Sequence, residues 1–189
     1  MLSESKIAFK EWAVVVNALA QGKQSIILRK GGIQEKNNEF KAEHEEFFLF
    51  PTYEHQERAD LKPVFHSDLD WIIRNHAEEN TVPIRYYAHA EKIFRISDKD
   101  LLPKISPFHI WSDNEIEKRF NYGKEEGICL ILVRVFELLF PHVVSVSPKY
   151  AGCKSWVELE KPLAVRDPIP RISDLSFEAI QDQIIRILQ

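Results

Sequence analysis

Apolar residues recur along the chain in two rhythms, one helical and one extended. Ala8, Trp12, Val15, Val16 and Leu19 lie three or four positions apart or side by side. That spacing predicts a helix over Ser5–Ala20, stopped by Gly22, although the three consecutive valines inside it favour extended backbone. A strand over Gln24–Lys30 should follow, then a polar excursion, Gln34–Glu46, read as an exposed loop or short helix. Phe47–Phe50 is a buried strand ending at Pro51, and His55–Pro63 is polar and loop-like. Ser67-Asp68-Leu69-Asp70 has the hydroxyl and acids of a helix start, with Leu69, Ile72, Ile73 and His76 on one face. Val82–Ile96 reads as a long strand with a bend, and Ser97–Asp100 as the cap of a brief helix stopped by Pro103. Ser112-Asp113-Asn114-Glu115 is a capping box opening a helix to about Asn121, with Gly123 beyond it. Ile128–Leu138 is apolar at nearly every position, the mark of a central strand covered on both faces. Val143–Val146 and Val157–Leu159 are further extended pieces. The chain closes on a helix from Asp174 or Phe177 to Leu188, whose stripe of Phe177, Ile180, Ile184, Ile187 and Leu188 must dock on the body or on a partner.

Strands and helices therefore mix without regular βαβ alternation. The expected class is α+β: a largely antiparallel, curved sheet or small open barrel with flanking helices. Residues 1–189 read as a single domain, because the segment before the polar link at Gln56–Lys62 has too few strands to close a core. The net charge of −4 excludes a global basic field for a polyanion, so nucleic acid would need a local basic patch. With only Cys129 and Cys153 there is no disulfide framework or zinc constellation, which suits a reducing cytoplasm. The amino-terminal stretch lacks a signal peptide's apolar centre, and no run is long enough to span a membrane.

The strings EWAVVVNAL, ILRKGGI, FFLFPTYEHQ, FHIWS, LILVRVFEL and SPKYAGCKSWVEL resemble those of the bacterial DUF1802 family of unknown function, over about Phe9 to Leu159. The resemblance implies little about activity. An association of some relatives with restriction-endonuclease-type domains hints at nucleic acid, and the order of elements is similar to RNA-binding barrels of the PUA and ASCH kind, an analogy of fold alone.

Three groups of residues carry candidate chemistry. Arg29-Lys30-Gly31-Gly32 sets two cations beside a glycine turn, the makings of a phosphate or carboxylate grip, without the spacing of a Walker loop. Tyr53, His55 and Gln56 follow the Phe47–Phe50 strand and present polar groups at its end. Lys149, Tyr150, Lys154, Ser155 and Trp156 surround a second glycine turn and could stack a base and hold its phosphates, with His109 and Trp111 joining them. Convergence of these turns around one hollow would make a non-catalytic module for RNA, DNA or a nucleotide, requiring no cofactor or metal. One alternative is a metal-assisted phosphoester hydrolase using His44, Glu46 and His55; another is a scaffold subunit of a restriction or defence complex docking through the last helix. Arg134, set in the central strand, needs a carboxylate from a distant part of the chain, since Glu137 falls on the opposite face.

Overall fold

The computed structural model describes the chain except residues 31–32, 37–38, 43, 77–79, 151 and 153–154; residues 33–36 and 39–42 are described by backbone alone. The expected α+β class forms. Strands β1 (Glu4–Trp12), β2 (Ile26–Arg29), β5 (Glu46–Thr52), β6 (Thr81–Ile96), β7 (Ile128–Ser145), β8 (Trp156–Ala164) and β9 (Ile169–Pro170) make one open mixed sheet, with β3 (Ile33–Lys36) and β4 (Glu39–Ala42) a separate antiparallel pair. The main path runs β2-β7-β6-β5-β1-β8, and β9 pairs with β7. Only β1 with β5 is parallel among these described pairs. The helices are α1 (Ala13–Ala20), α2 (His66–Asn75), α3 (Leu102–Ile105), α4 (Asp113–Asn121) and α5 (Asp174–Leu188).

The first element departs from its sequence pattern. Glu4–Trp12 is a strand, and only Ala13–Ala20 is helical. Ala8 and Phe9 are both buried, in separate clusters of apolar side chains, so β1 is covered on two faces. A helical spacing of apolar residues cannot be told from such two-sided burial. The valines are helical because α1 is immersed: every residue in it except Asn17 is buried, and packing outweighs the weak helix preference of β-branched side chains. Gly22 ends the helix with φ 69°, a conformation open to glycine. The expected loop or short helix over Gln34–Glu46 is also corrected: Ile33–Lys36 pairs with Glu39–Ala42 as β3 and β4, and β5 begins at Glu46. A charged, mixed-polarity sequence carries no periodic apolar signal.

Elsewhere the polar punctuation and the elements agree. Ser112 accepts the Glu115 amide at 3.3 Å, closing the expected cap of α4. Pro103 sits in the first turn of α3 instead of stopping a helix, a position where its missing N–H costs nothing. Helix α2 begins at His66, one residue before Ser67, and Ile73 faces solvent while Leu69 and Ile72 point inward. Strand β7 extends past Leu138 through the Val143 segment to Ser145. Its partner β6 bends at two register shifts, between Ile84 and Tyr86 and between Ala90 and Lys92. The last helix packs Phe177 and Ile184 into the larger core.

Candidate functional site

The candidate residues at the first turn are engaged in holding the sheet. Arg29 reaches from β2, at one edge of the sheet path, to β1 near the other: its guanidinium donates to the Lys10 carbonyl at 2.5 Å, lies 3.2 Å from the Glu11 carboxylate, and sits 4.8 Å from the centre of the Phe9 ring. The Lys30 ammonium donates to the carbonyls of Phe120 and Gly127, both at 2.9 Å, and to that of Glu125. Gly31 and Gly32 lie outside the described residues.

The second turn does come near the first, and meets it at β1. The Lys10 ammonium donates to the carbonyls of Tyr150 (2.6 Å) and Gly152 (2.8 Å), and the Lys10 amide to that of Ser155 (2.8 Å). Trp156 packs edge-on against Phe9, with Phe47 and His44 on its other sides, at centroid distances of 4.7, 5.0 and 5.1 Å. Tyr150 is buried against Phe50, its hydroxyl accepting the Glu160 amide at 3.0 Å. Lys149 is exposed, 3.8 Å from Glu160, and Lys154 is outside the described residues. Among the described residues the contacts around Phe9 and Lys10 are internal: Arg29 lies over the Phe9 ring, Trp156 packs beside it, and Lys10 holds carbonyls of the second turn. His109 and Trp111 are buried, Trp111 beneath the Arg119 guanidinium at 3.7 Å.

In the third group, Gln56 caps α1 from outside, its side-chain oxygen accepting the Val14 amide at 3.0 Å. His55 is exposed in left-handed backbone, φ 58°. Glu46 binds the Leu2 amide and the Tyr87 hydroxyl, at 2.7 and 2.9 Å; among the described residues no three metal-ligating side chains gather. Of the sequence candidates among the described residues, only Tyr53 lines a hollow of about 530 Å³ between α1, α2, β5 and β6.

That cleft has the make-up of a ligand site: mostly apolar, with rings and a few polar groups, and within the ordinary size range. The Tyr53 and His76 rings are parallel, 3.5 Å apart. Trp71, on α2, is 60% exposed at the rim, and Tyr86 lies on the floor. Arg85 is the one arginine or lysine among the described lining residues, none of which is a carboxylate. Its guanidinium meets no hydrogen-bond or ion-pair partner among the described residues. Tyr53 and Tyr86 both have raised pKa values, chiefly from burial, with Arg85 opposing the shift in each. Both phenols therefore stay protonated at neutral pH, keeping their capacity to donate.

A backbone irregularity sets this geometry. Ile84 pairs with His142 and Tyr86 with Glu137, so the register slips at Arg85. The slip lets consecutive residues, Arg85 and Tyr86, both line the cleft, while Ile84 and Tyr87 enter the smaller core. Bulges commonly re-aim side chains in this way. Sequence reasoning missed Trp71, His76, Arg85 and Tyr86. The available signal was Trp71, an aromatic lying off the Leu69–Ile72 stripe of its helix.

The fold and cleft define an α+β protein with an open mixed sheet and an aromatic, arginine-bearing hollow at one side. The family model described as Domain of unknown function (DUF1802) matches residues 8–183, and the chain belongs to that family. Comparison with curated proteins gave no match. Two similar solved structures are a mutant of the ASCH protein ZmASCH from Zymomonas mobilis (12% identity, covering 82% of this chain and 90% of that one, TM-score 0.48) and ASCH from the same organism (10%, 97% and 95%, 0.45). No helix among the described residues is long and apolar enough to cross a membrane.

His109, though remote from the cleft, carries a testable electrostatic consequence. It is 2% exposed, and burial, then the nearby Lys62 ammonium, push its pKa down to about 3. An unfolded histidine titrates near 6.5, so below that pH the unfolded chain takes a proton that the fold refuses. Stability should fall by about 1.4 kcal/mol per pH unit as pH drops from about 6.5 toward 3, or about 2 kcal/mol by pH 5. Urea melts at pH 7.5, 6 and 5 check this: His109→Phe should flatten that part of the profile, and parallel curves for the two proteins would contradict it.

Proposed function

We propose that the protein binds a nucleotide unit, free or within RNA or DNA, in the cleft between α1, α2, β5 and β6. The observation that carries this reading is the Arg85 guanidinium, unpaired among the described residues, in a cleft whose described lining holds rings but no acid. A planar cation in such a setting favours an anion, with phosphate well matched to its forked donors. The walls supply the other half of a nucleotide's chemistry. Bases stack on aromatic side chains with little dependence on sequence, and Trp71, exposed on α2, offers such a face beside the mutually stacked Tyr53 and His76 rings. Tyr53 links this site to the polar groups singled out in the sequence. Of the other candidates, Arg29, Lys30, Gln56, Tyr150 and Trp156 make internal contacts.

Titrations of AMP and UMP followed by tryptophan fluorescence test the proposal, since Trp71 stands at the rim. Saturable binding is expected. Arg85→Met should weaken it by about 10- to 100-fold, the loss of a charge-assisted hydrogen-bonding group worth about 1.5–3 kcal/mol. Trp71→Ala should weaken it through the loss of about 1–3 kcal/mol of stacking. Equal affinity in the Arg85→Met protein, with an unchanged melting temperature, would overturn the assignment.

A further inference from the structure

Resting on the nucleotide reading of this cleft, we infer that it takes a single nucleotide unit through one phosphate, as a mononucleotide or the phosphorylated end of a strand, and does not track a continuous strand. The surroundings of Arg85 set this limit. Across β6, the residue opposite Tyr86 is Glu137, already paired with Arg171, and the residue opposite Pro83 is Val143, an exposed aliphatic. A strand leaving the Arg85 position along the sheet would meet the closed Glu137–Arg171 ion pair on one side and an apolar surface on the other. On the helical side, Arg74 donates to the Asp70 carbonyl, and Asp68 and Asp70 are matched to Lys23 and Arg58. Of the other basic residues described, Arg29 is committed inward to Glu11, Lys30 to three carbonyls, and Lys10 to two. Strand-binding proteins instead line a groove with cations over several nucleotides. Here one guanidinium serves one phosphate, and a cleft of about 530 Å³ matches one ligand of that size.

Salt dependence and length dependence measure the number of phosphates held. The probes are AMP, and an adenosine octanucleotide with and without a 5′-phosphate, each titrated into the full chain from 25 to 200 mM salt. One phosphate contact predicts a log–log slope no steeper than about −0.7 for the octanucleotides, and a shallower one for AMP, which carries no condensed counterion atmosphere. The 5′-phosphorylated octanucleotide should bind within about threefold of AMP, and the unphosphorylated one at least about fivefold more weakly. Arg85→Met should abolish most of the slope, while Arg85→Lys keeps part of it and shows that the charge, not folding, is at stake. Octanucleotides binding more than tenfold tighter than AMP, with slopes of about −2 or steeper that Arg85→Met reduces, would overturn the single-phosphate inference and leave the nucleotide reading standing. Failure of all three probes to bind would overturn both.

Discussion

Arg29→Met should lower the stability of the fold by about 3–5 kcal/mol, the penalty for breaking a buried ion pair from one side. The carboxylate it leaves behind is the reason. Glu11 is 4% exposed, and its second oxygen serves the Trp12 amide at 2.9 Å. With the guanidinium gone, that carboxylate is left buried without its ion-pair partner. The Lys10 carbonyl loses its donor at the same time, and the link from β2 to β1 across the opening of the sheet is cut. Since small domains are stable by only about 5–15 kcal/mol, a large part of the margin disappears. The double variant Arg29→Met/Glu11→Leu should recover most of the loss, because removing both charges relieves the unpaired carboxylate. Thermal and urea melts of the three proteins decide the matter. Unchanged melting of Arg29→Met, together with weakened nucleotide binding, would return Arg29 to the role of an anion grip.

That contrast shows where the chain was legible. The basic residues at the end of β2 were visible as chemistry, but their partners are remote: Lys10 is 19 positions from Arg29, and the carbonyls around Lys30 are 90 to 97 positions away. A cation beside a turn looks the same in sequence whether it waits for a ligand or closes a sheet. The strands β5, β6 and β7 were legible because buried apolar runs declare themselves, and α4 because its cap is local. The expected distant carboxylate for Arg134 is Asp174, 40 positions on. The cleft was legible only in part. Tyr53 follows a recognisable strand, whereas strict alternation from Ile84 assigns Arg85 and Tyr86 to opposite faces. Only the register slip brings both into the hollow; Pro141, among the extra residues 138–141 of β7, hints at a bulge, but which residue of β6 it displaces is a property of the pairing.

The double variant Phe177→Ala/Ile184→Ala should be the most damaging change considered, and it separates a core helix from one that waits for a partner. Phe177 is 3% exposed and Ile184 is fully buried; both belong to the larger core, with Ile180, Ile187 and Leu188 packed at its margin. The start of α5 is fixed independently: Ser173 accepts the Ser176 amide at 3.2 Å, and Asp174 in the first turn pairs with Arg134 on β7. The Arg134 guanidinium also lies 5.5 Å from the centre of the Phe177 ring, so the ion pair and the apolar anchor act at one place. Phe→Ala and Ile→Ala changes in a core cost about 3–5 and 2–5 kcal/mol, for a combined loss of about 5–8 kcal/mol if the second cavity relaxes partly into the first. That approaches the whole stability of an ordinary domain, so the variant should be largely unfolded or melt far below the parent. Leu175→Ala, at a position 78% exposed on the same helix, should melt within about 0.5 kcal/mol of the parent and serves as the control. A Phe177→Ala/Ile184→Ala protein that melts with its parent would mean that α5 leaves the core in solution, and the stripe would then be free to dock elsewhere.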